Sequence, residues 1–92
     1  MKLIVLLSTY NGEAYIRQQL DSLLAQTLEG ADIFVRDDGS TDGTRAILTA
    51  YAQRGLLRWY EGDNLGPARS FWRLLQDADD ADTYAFCDQD DV

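Results

Sequence analysis

The sequence predicts an α/β fold: an open, doubly wound, mainly parallel sheet of about four strands with three helices. Three observations lead there. Short apolar runs recur four times, each closed by a polar turn. The three stretches between them repeat apolar residues at helical spacing. No internal repeat, linker or low-complexity segment interrupts the alternation.

The first strand is "LIVLL" (3–7), a continuous apolar run of the kind expected when both faces of a strand are covered. Ile16, Leu20, Leu23 and Leu24 then fall at i, i+4, i+7 and i+8, one apolar stripe of a helix. Asn11 or Gly12 enters that helix, Glu13 lies near its positive end, and Gly30 stops it. "DIFV" (32–35) is the second strand, and "RDDGSTDGT" after it carries the side chains of a loop. Thr44, Ile47, Leu48 and Tyr51 form the second stripe, with Asp42 or Thr41 as N-cap and Gly55 closing the helix. "LLRWYE" (56–61) reads as the third strand. Pro67 has no amide hydrogen to lose at the first helical position, and Phe71, Leu74, Leu75 and Ala78 give the third stripe. The acidic "DADDAD" (77–82) is a solvated turn before the fourth strand, "TYAFC" (83–87).

Composition bounds the functions available. Ninety-two residues make one domain at most, and a chain of this size buries only about 60–65% of its unfolded surface. Sixteen acidic against eight basic residues give a net charge of −8, which argues against nucleic acid or an anionic membrane as the main partner. A phosphate ligand would therefore need a cation beside it. Cys87 is the single cysteine, so a disulfide framework is excluded and a reducing cytoplasm is compatible. Its apolar neighbours make it a small core residue. The opening "MKLIVLLSTYNG" is too short in apolar residues for a signal segment, and no membrane span is present.

In a parallel sheet every strand points the same way, so the segments that follow the strands share one edge, where such sheets bind ligands. Those segments are "STYN" (8–11), "DDGS" (37–40), "GDN" (62–64) and "DQDD" (88–91). Carboxylates gathered without histidine favour a hard cation, Mg²⁺ or Mn²⁺, and such an ion is commonly held by one or two carboxylates plus substrate phosphates. The plain alternative is that "DQDD" is a solvated strand end. Its position at the end of a buried strand, on the ligand edge, favours a site.

"LLSTYNGEAYIRQQLDSLLAQT", "VRDDGSTDGT", "NLGPARSF" and "FCDQDDV", in this order and spacing, resemble the nucleotide-binding half of the family 2 inverting glycosyltransferases, which have the Rossmann-like GT-A fold. The similarity spans residues 1–92, and the "CDQDDV" form is similar to a rhamnosyltransferase-like branch of bacterial polysaccharide synthesis. It implies a metal-dependent transfer of sugar from a UDP- or dTDP-linked donor to a hydroxyl on a saccharide or lipid-linked acceptor, with inversion. By the same resemblance Thr9 and Tyr10 lie against the nucleotide, and Asp38 accepts the ring N–H of uracil or thymine. Asp37 orders the turn, with Gly39 and Ser40 shaping it. Asn64 and Gly66 border the nucleotide, and Arg69 reaches a phosphate. Asp88 faces the ribose or a metal-bound water, Asp90 binds the cation directly, and Asp91 is the second choice for that role. The catalytic base and the acceptor-binding part are expected beyond Val92, so these residues alone are expected to bind donor without turnover. The location expected of the whole protein is cytoplasmic, at the inner face of the membrane. Self-association through an exposed sheet edge is a further expectation.

Two other ligand-binding α/β classes fit poorly. A receiver-type signalling domain wants an acidic pair after strand one and a late lysine, but "STYN" stands there and Lys2 is the sole lysine. A dinucleotide-binding module wants a glycine-rich turn after strand one, where only Gly12 is found. A non-catalytic α/β interaction module is the alternative left open.

Overall fold

The computed structural model describes residues 2–26 and 31–88, Cys87 and Asp88 by backbone alone. Strands β1 (Leu3–Thr9), β2 (Asp32–Asp37), β3 (Arg58–Glu61) and β4 (Thr83–Asp88) alternate with helices α1 (Ile16–Gln26), α2 (Thr44–Gln53) and α3 (Pro67–Asp77). The sheet order is β3-β2-β1-β4 and every pairing is parallel. The chain thus winds outward from β1 to β3, then returns to place β4 on the other side of β1. Open α/β sheets bind ligands in the crevice where the strand order reverses, which this order places at the carboxyl ends of β1 and β4.

The period of two along β1 sorts its side chains to two cores. Val5 and Leu7 pack with Ile16 and Leu20 of α1, Ile33 and Val35 of β2, and Ile47, Leu48 and Tyr51 of α2. Ile4 and Leu6 point to the opposite face, where Leu74 of α3 meets them beside Phe34 and Tyr60. Helices therefore cover both faces, and the sheet is doubly wound as predicted. Each fully buried Leu or Ile contributes about 1.5–3 kcal/mol, so the larger α1/α2 core carries most of the apolar stabilisation.

Several boundaries depart from the sequence reading. The first helix begins at Ile16, because Gly12 and the three residues after it form a turn in which the Gly12 carbonyl accepts from Tyr15 and Ile16 amides. Strand β2 continues through Arg36 and Asp37, residues assigned to a loop by their polarity. They extend it because Ser8 and Thr9 pair with them on one side and Tyr60 and Glu61 on the other. Strand β3 starts at Arg58; Leu56 and Leu57 before it pack against the α1/α2 core as the chain leaves α2. The N-cap of α2 is Gly43, although the Asp42 carboxylate still takes the amide hydrogen of Thr44 (2.9 Å). Pro67 opens α3 as expected. The stop assigned to Gly30 lies outside the described residues. No helix among those described is long and apolar enough to cross a membrane.

Candidate functional site

Strands β1 and β2 end in buried polar side chains, and further buried polar groups flank them. On the α1/α2 face these are Thr9, Asp37, Ser40 and Thr44; on the α3 face they are Ser8, Arg36 and Ser70. Buried polar groups persist only when hydrogen-bonded, and here the bonds run between elements. They build the rim of the crevice.

On the first face Asp37 is fully buried and takes both the amide (3.0 Å) and the hydroxyl (2.5 Å) of Ser40. Burial pushes its carboxyl above the ordinary range, and the two Ser40 bonds oppose that rise. It orders the turn, as the sequence reading expected. Ser40 Oγ in turn accepts the Asn11 amide (2.8 Å), and Asn11 Oδ1 accepts the Thr41 amide (2.8 Å). Asn11 holds a left-handed backbone, φ 47°, a conformation asparagine tolerates better than most residues. Gly12 N–H donates to Thr44 Oγ1 (2.9 Å), and Glu13 N–H to Asp42 Oδ2 (3.2 Å). The β1–α1 and β2–α2 loops are thereby stitched into one wall.

On the second face the Asp38 carboxylate, 3% exposed, binds the Arg36 guanidinium at 2.6 Å. Its Oδ1 also accepts the Leu65 amide (2.8 Å), and its Oδ2 the Gly66 amide (3.0 Å). The Asp38 carbonyl takes the Asn64 side-chain amide (3.1 Å). Asp38 thus fixes the loop from β3 into α3, the loop that carries the other expected nucleotide-border residues. Gly39 lies between them with φ +80°, and a Cβ there would stand 3.2 Å from the Asn64 amide nitrogen.

The expected site residues separate into three groups. Asp38, Asn64 and Gly66 are brought together. Thr9 is buried at the end of β1, with its carbonyl accepting the Asp38 amide (2.8 Å), while Tyr10 beside it is 43% exposed. Arg69 is exposed on the first turn of α3. Asp88 ends β4 in register with Ser8, so its backbone reaches the same edge. Asp90, Asp91 and the Asp88 side chain lie outside what is described. Among the described residues no three His, Cys, Asp or Glu side chains form a metal-binding group. An open cleft of about 610 Å³ lies beyond the ends of β2 and β3, bounded by Ser40, Arg45, Glu61, Asp63 and Asn64.

The sequence reading missed Arg36 and Ser70. The local signal gives their face of the sheet and not their burial. Arg36 falls in phase with Phe34 on the α3 face, and "ARSF" places a small hydroxyl residue where the third helix meets the sheet.

The parallel sheet, its two-sided helices and the polar groups at its carboxyl edge define an open, doubly wound α/β fold, and its match to the solved glycosyltransferase structures below makes it the GT-A form of that fold. The chain belongs to glycosyl transferase family 2, whose family model matches residues 4–92. It is 35% identical to the dTDP-rhamnosyl transferase RfbG of Shigella flexneri over 92 residues, covering 94% of this chain and 32% of that protein. The crystal structure of S. aureus TarS 1-349 in complex with UDP-GlcNAc is similar at TM-score 0.84 and 32% identity, covering 98% of this chain and 27% of that one. The mannosyltransferase PcManGT from Pyrobaculum calidifontis, in complex with GDP-Man and Mn²⁺, is similar at TM-score 0.82 and 26% identity, covering 96% of this chain and 27% of that one. The chain therefore spans about a third or less of the length of these relatives.

Proposed function

We propose that this chain holds a UDP- or dTDP-linked sugar for transfer to a hydroxyl group of a saccharide or lipid-linked acceptor, with inversion at the sugar C1. The observation that carries the proposal is the convergence of Tyr10, Asp38, Asn64 and Gly66 from the ends of three parallel strands onto one edge. The names of the relatives, a dTDP-rhamnosyl transferase and a protein crystallised with UDP-GlcNAc, support the donor class.

The half-exposed Tyr10 ring packs on a base face. Three of the roughly four acceptor positions of the Asp38 carboxylate are filled by Arg36, Leu65 and Gly66. The position left, on Oδ2, accepts the ring N–H of uracil or thymine, which cytosine lacks. Arg69 reaches a phosphate from the first turn of α3. In the reaction the acceptor oxygen bonds to C1 as the C1–O bond to the diphosphate breaks, and a base takes the hydroxyl proton. Asp90, with Asp88 and Asp91, would hold Mg²⁺ or Mn²⁺, for which an all-carboxylate donor set is suited. When bound, the cation would neutralise charge on the departing diphosphate. The PcManGT complex with Mn²⁺ supports this choice of ion.

The test is calorimetry on Asp38→Asn, which keeps an acceptor for Arg36. UDP and dTDP binding are expected to weaken by about 1.5–3 kcal/mol, the range for a hydrogen bond to a charged group, with CDP nearly unchanged. Equal losses for all three would confine Asp38 to holding its loop. A transfer assay that follows both glycosylated product and free nucleoside diphosphate separates an enzyme from a binding module. The proposal carries with it a cytoplasmic location at the inner face of the membrane, checked by cell fractionation. It also carries weak self-association through the β4 side, where Phe86 and Trp72 are 58% and 63% exposed; sedimentation at rising concentration measures it.

A further inference from the structure

Arg36 is 3% exposed at the end of a sheet strand, a place where arginine is seldom found. Its Nη1 donates to Asp38 Oδ1 (2.6 Å) and to Ser70 Oγ (2.9 Å), and its Nη2 to the Asp63 carbonyl (3.0 Å). Ser70 Oγ lies 2.5 Å from Ser8 Oγ on β1. One guanidinium thus ties together β2, the β3–α3 loop, α3 and, through Ser70, β1. The surrounding chain makes room for it. At Gly62 a Cβ would fall 2.2 Å from Nη2 and 2.7 Å from Cζ, so the position beside the guanidinium is open only because it is glycine.

The arrangement is more than a core ion pair needs. Arg36 Nε is buried with no hydrogen-bond partner among the described residues, and an unpaired buried donor is unfavourable. A buried Arg–carboxylate pair is seldom more stable than an apolar pair of the same volume. What the pair does supply is orientation. Arg36 and the Leu65 amide occupy Oδ1, the Gly66 amide takes one side of Oδ2, and one acceptor position on Oδ2 is left in a fixed direction.

We propose that Arg36 is a positioning residue for base recognition: by locking Asp38 through Oδ1, and the Asp63–Gly66 loop through the Asp63 carbonyl, it sets the preference for uracil or thymine over cytosine. The inference rests on the reading of Asp38 given above and assigns a role to a residue that reading does not use. Arg36 does not touch the base. It fixes the angle at which Oδ2 meets the ring N–H, and a hydrogen bond weakens steeply once that angle is lost.

The experiment is the ratio of CDP to UDP dissociation constants, measured by calorimetry on purified protein for wild type, Asp38→Asn, Arg36→Met, Arg36→Lys and Ser70→Ala. Cooperative thermal unfolding checks the fold of each. Wild type is expected to favour UDP, with Asp38→Asn removing most of that preference. Arg36→Met is expected to reduce the preference about tenfold through weaker UDP binding, with CDP unchanged. Arg36→Lys, which keeps one charged donor but not the fork, should restore part of it. Ser70→Ala removes an anchor of Arg36 without removing charge and should lower the ratio severalfold; it decides the matter if Arg36→Met does not fold. A wild-type ratio in folded Arg36→Met, or failing that in Ser70→Ala, overturns the role of Arg36 while leaving Asp38 intact. A wild-type ratio in Asp38→Asn, or no preference in wild type, overturns the base reading itself.

Discussion

Asp37 ends β2 and Asp42 lies in the loop that follows it, yet their surroundings push their carboxyl groups in opposite directions. Burial raises Asp37 above its ordinary value of 3.8, despite two bonds from Ser40. At Asp42 burial also acts upward, but the Thr44 hydroxyl and amide, with the Glu13 amide, outweigh it and hold the group low. Asp77 is likewise held low, first by the Tyr60 hydroxyl and then by Arg73. The signs follow from linkage. Asp42 and Asp77 bind protons more weakly when folded, so the stability they contribute is present above 3.8 and is lost as pH falls through their lowered folded values. Asp37 binds its proton more tightly when folded, so stability rises as pH falls through its raised value toward 3.8. Of these three carboxylates, two therefore promote acid unfolding and one resists it. Urea midpoints at about pH 6 and about pH 2.5 should fall less in Asp42→Asn and Asp77→Asn than in wild type, and more in Asp37→Asn. A smaller fall in Asp37→Asn would mean that its burial is not what governs its proton. The exposed Arg45–Glu61 pair at the cleft rim should hardly matter, since solvent screens such pairs.

At the scale of elements, the open cleft at the ends of β2 and β3 is set by how the β2–α2 turn meets the β3–α3 loop. Gly39 and Gly55 both have left-handed backbones, φ +80° and +74°, but only Gly39 has a neighbour where a Cβ would go. Gly55→Ala should lose about 1–2 kcal/mol from backbone strain alone. Gly39→Ala should lose more, because the Asn64 backbone must also move, and it alone should weaken nucleotide binding. Urea titration with UDP calorimetry compares the two; equal stability losses with unaltered binding in both would show that the loop tolerates the shift. Element type was legible in the sequence because apolar period and turn residues agree locally, as at "LIVLL" and at Pro67. Element ends were not, because long-range pairing decides them. Strand β2 outlasts its apolar run since Ser8 and Thr9 offer it backbone partners, and an arginine in a polar run gives no local sign that it is buried. Arg36 becomes readable only once Ser70 and Gly62, both remote in sequence, are placed beside it.

For the whole molecule, the order β3-β2-β1-β4 makes ligand binding and global stability one problem. The gathering of polar strand ends follows from parallel topology alone, so the first three segments of the crevice are legible in the chain itself. The direction of Asp38, turned inward to Arg36 and the 65–66 amides, is not, since the sequence does not say which neighbour a carboxylate will choose. These strand ends belong to all the central elements. A ligand that bridges them is therefore lost only when the sheet opens, and it should stabilise the native state as a unit. At about one hundred times its dissociation constant a ligand adds about 2.7 kcal/mol. In a domain of this size each kcal/mol shifts Tm by about 4–8 °C, so saturating UDP with Mn²⁺ should raise Tm by roughly 10–20 °C. UDP alone should give a smaller rise, and Mn²⁺ alone a smaller one still, because phosphate oxygens complete the coordination shell of the ion. Asp90→Asn should abolish the increment due to Mn²⁺ and keep the shift due to UDP. If Asp91→Asn abolishes it instead, the direct ligand is one residue further along. If wild type, Asp90→Asn and Asp91→Asn all respond to Mn²⁺ and UDP together no more than to UDP alone, the acidic end of β4 holds no cation, and the diphosphate charge must be met by the protein's own cations, beginning with Arg69 at the entrance of α3.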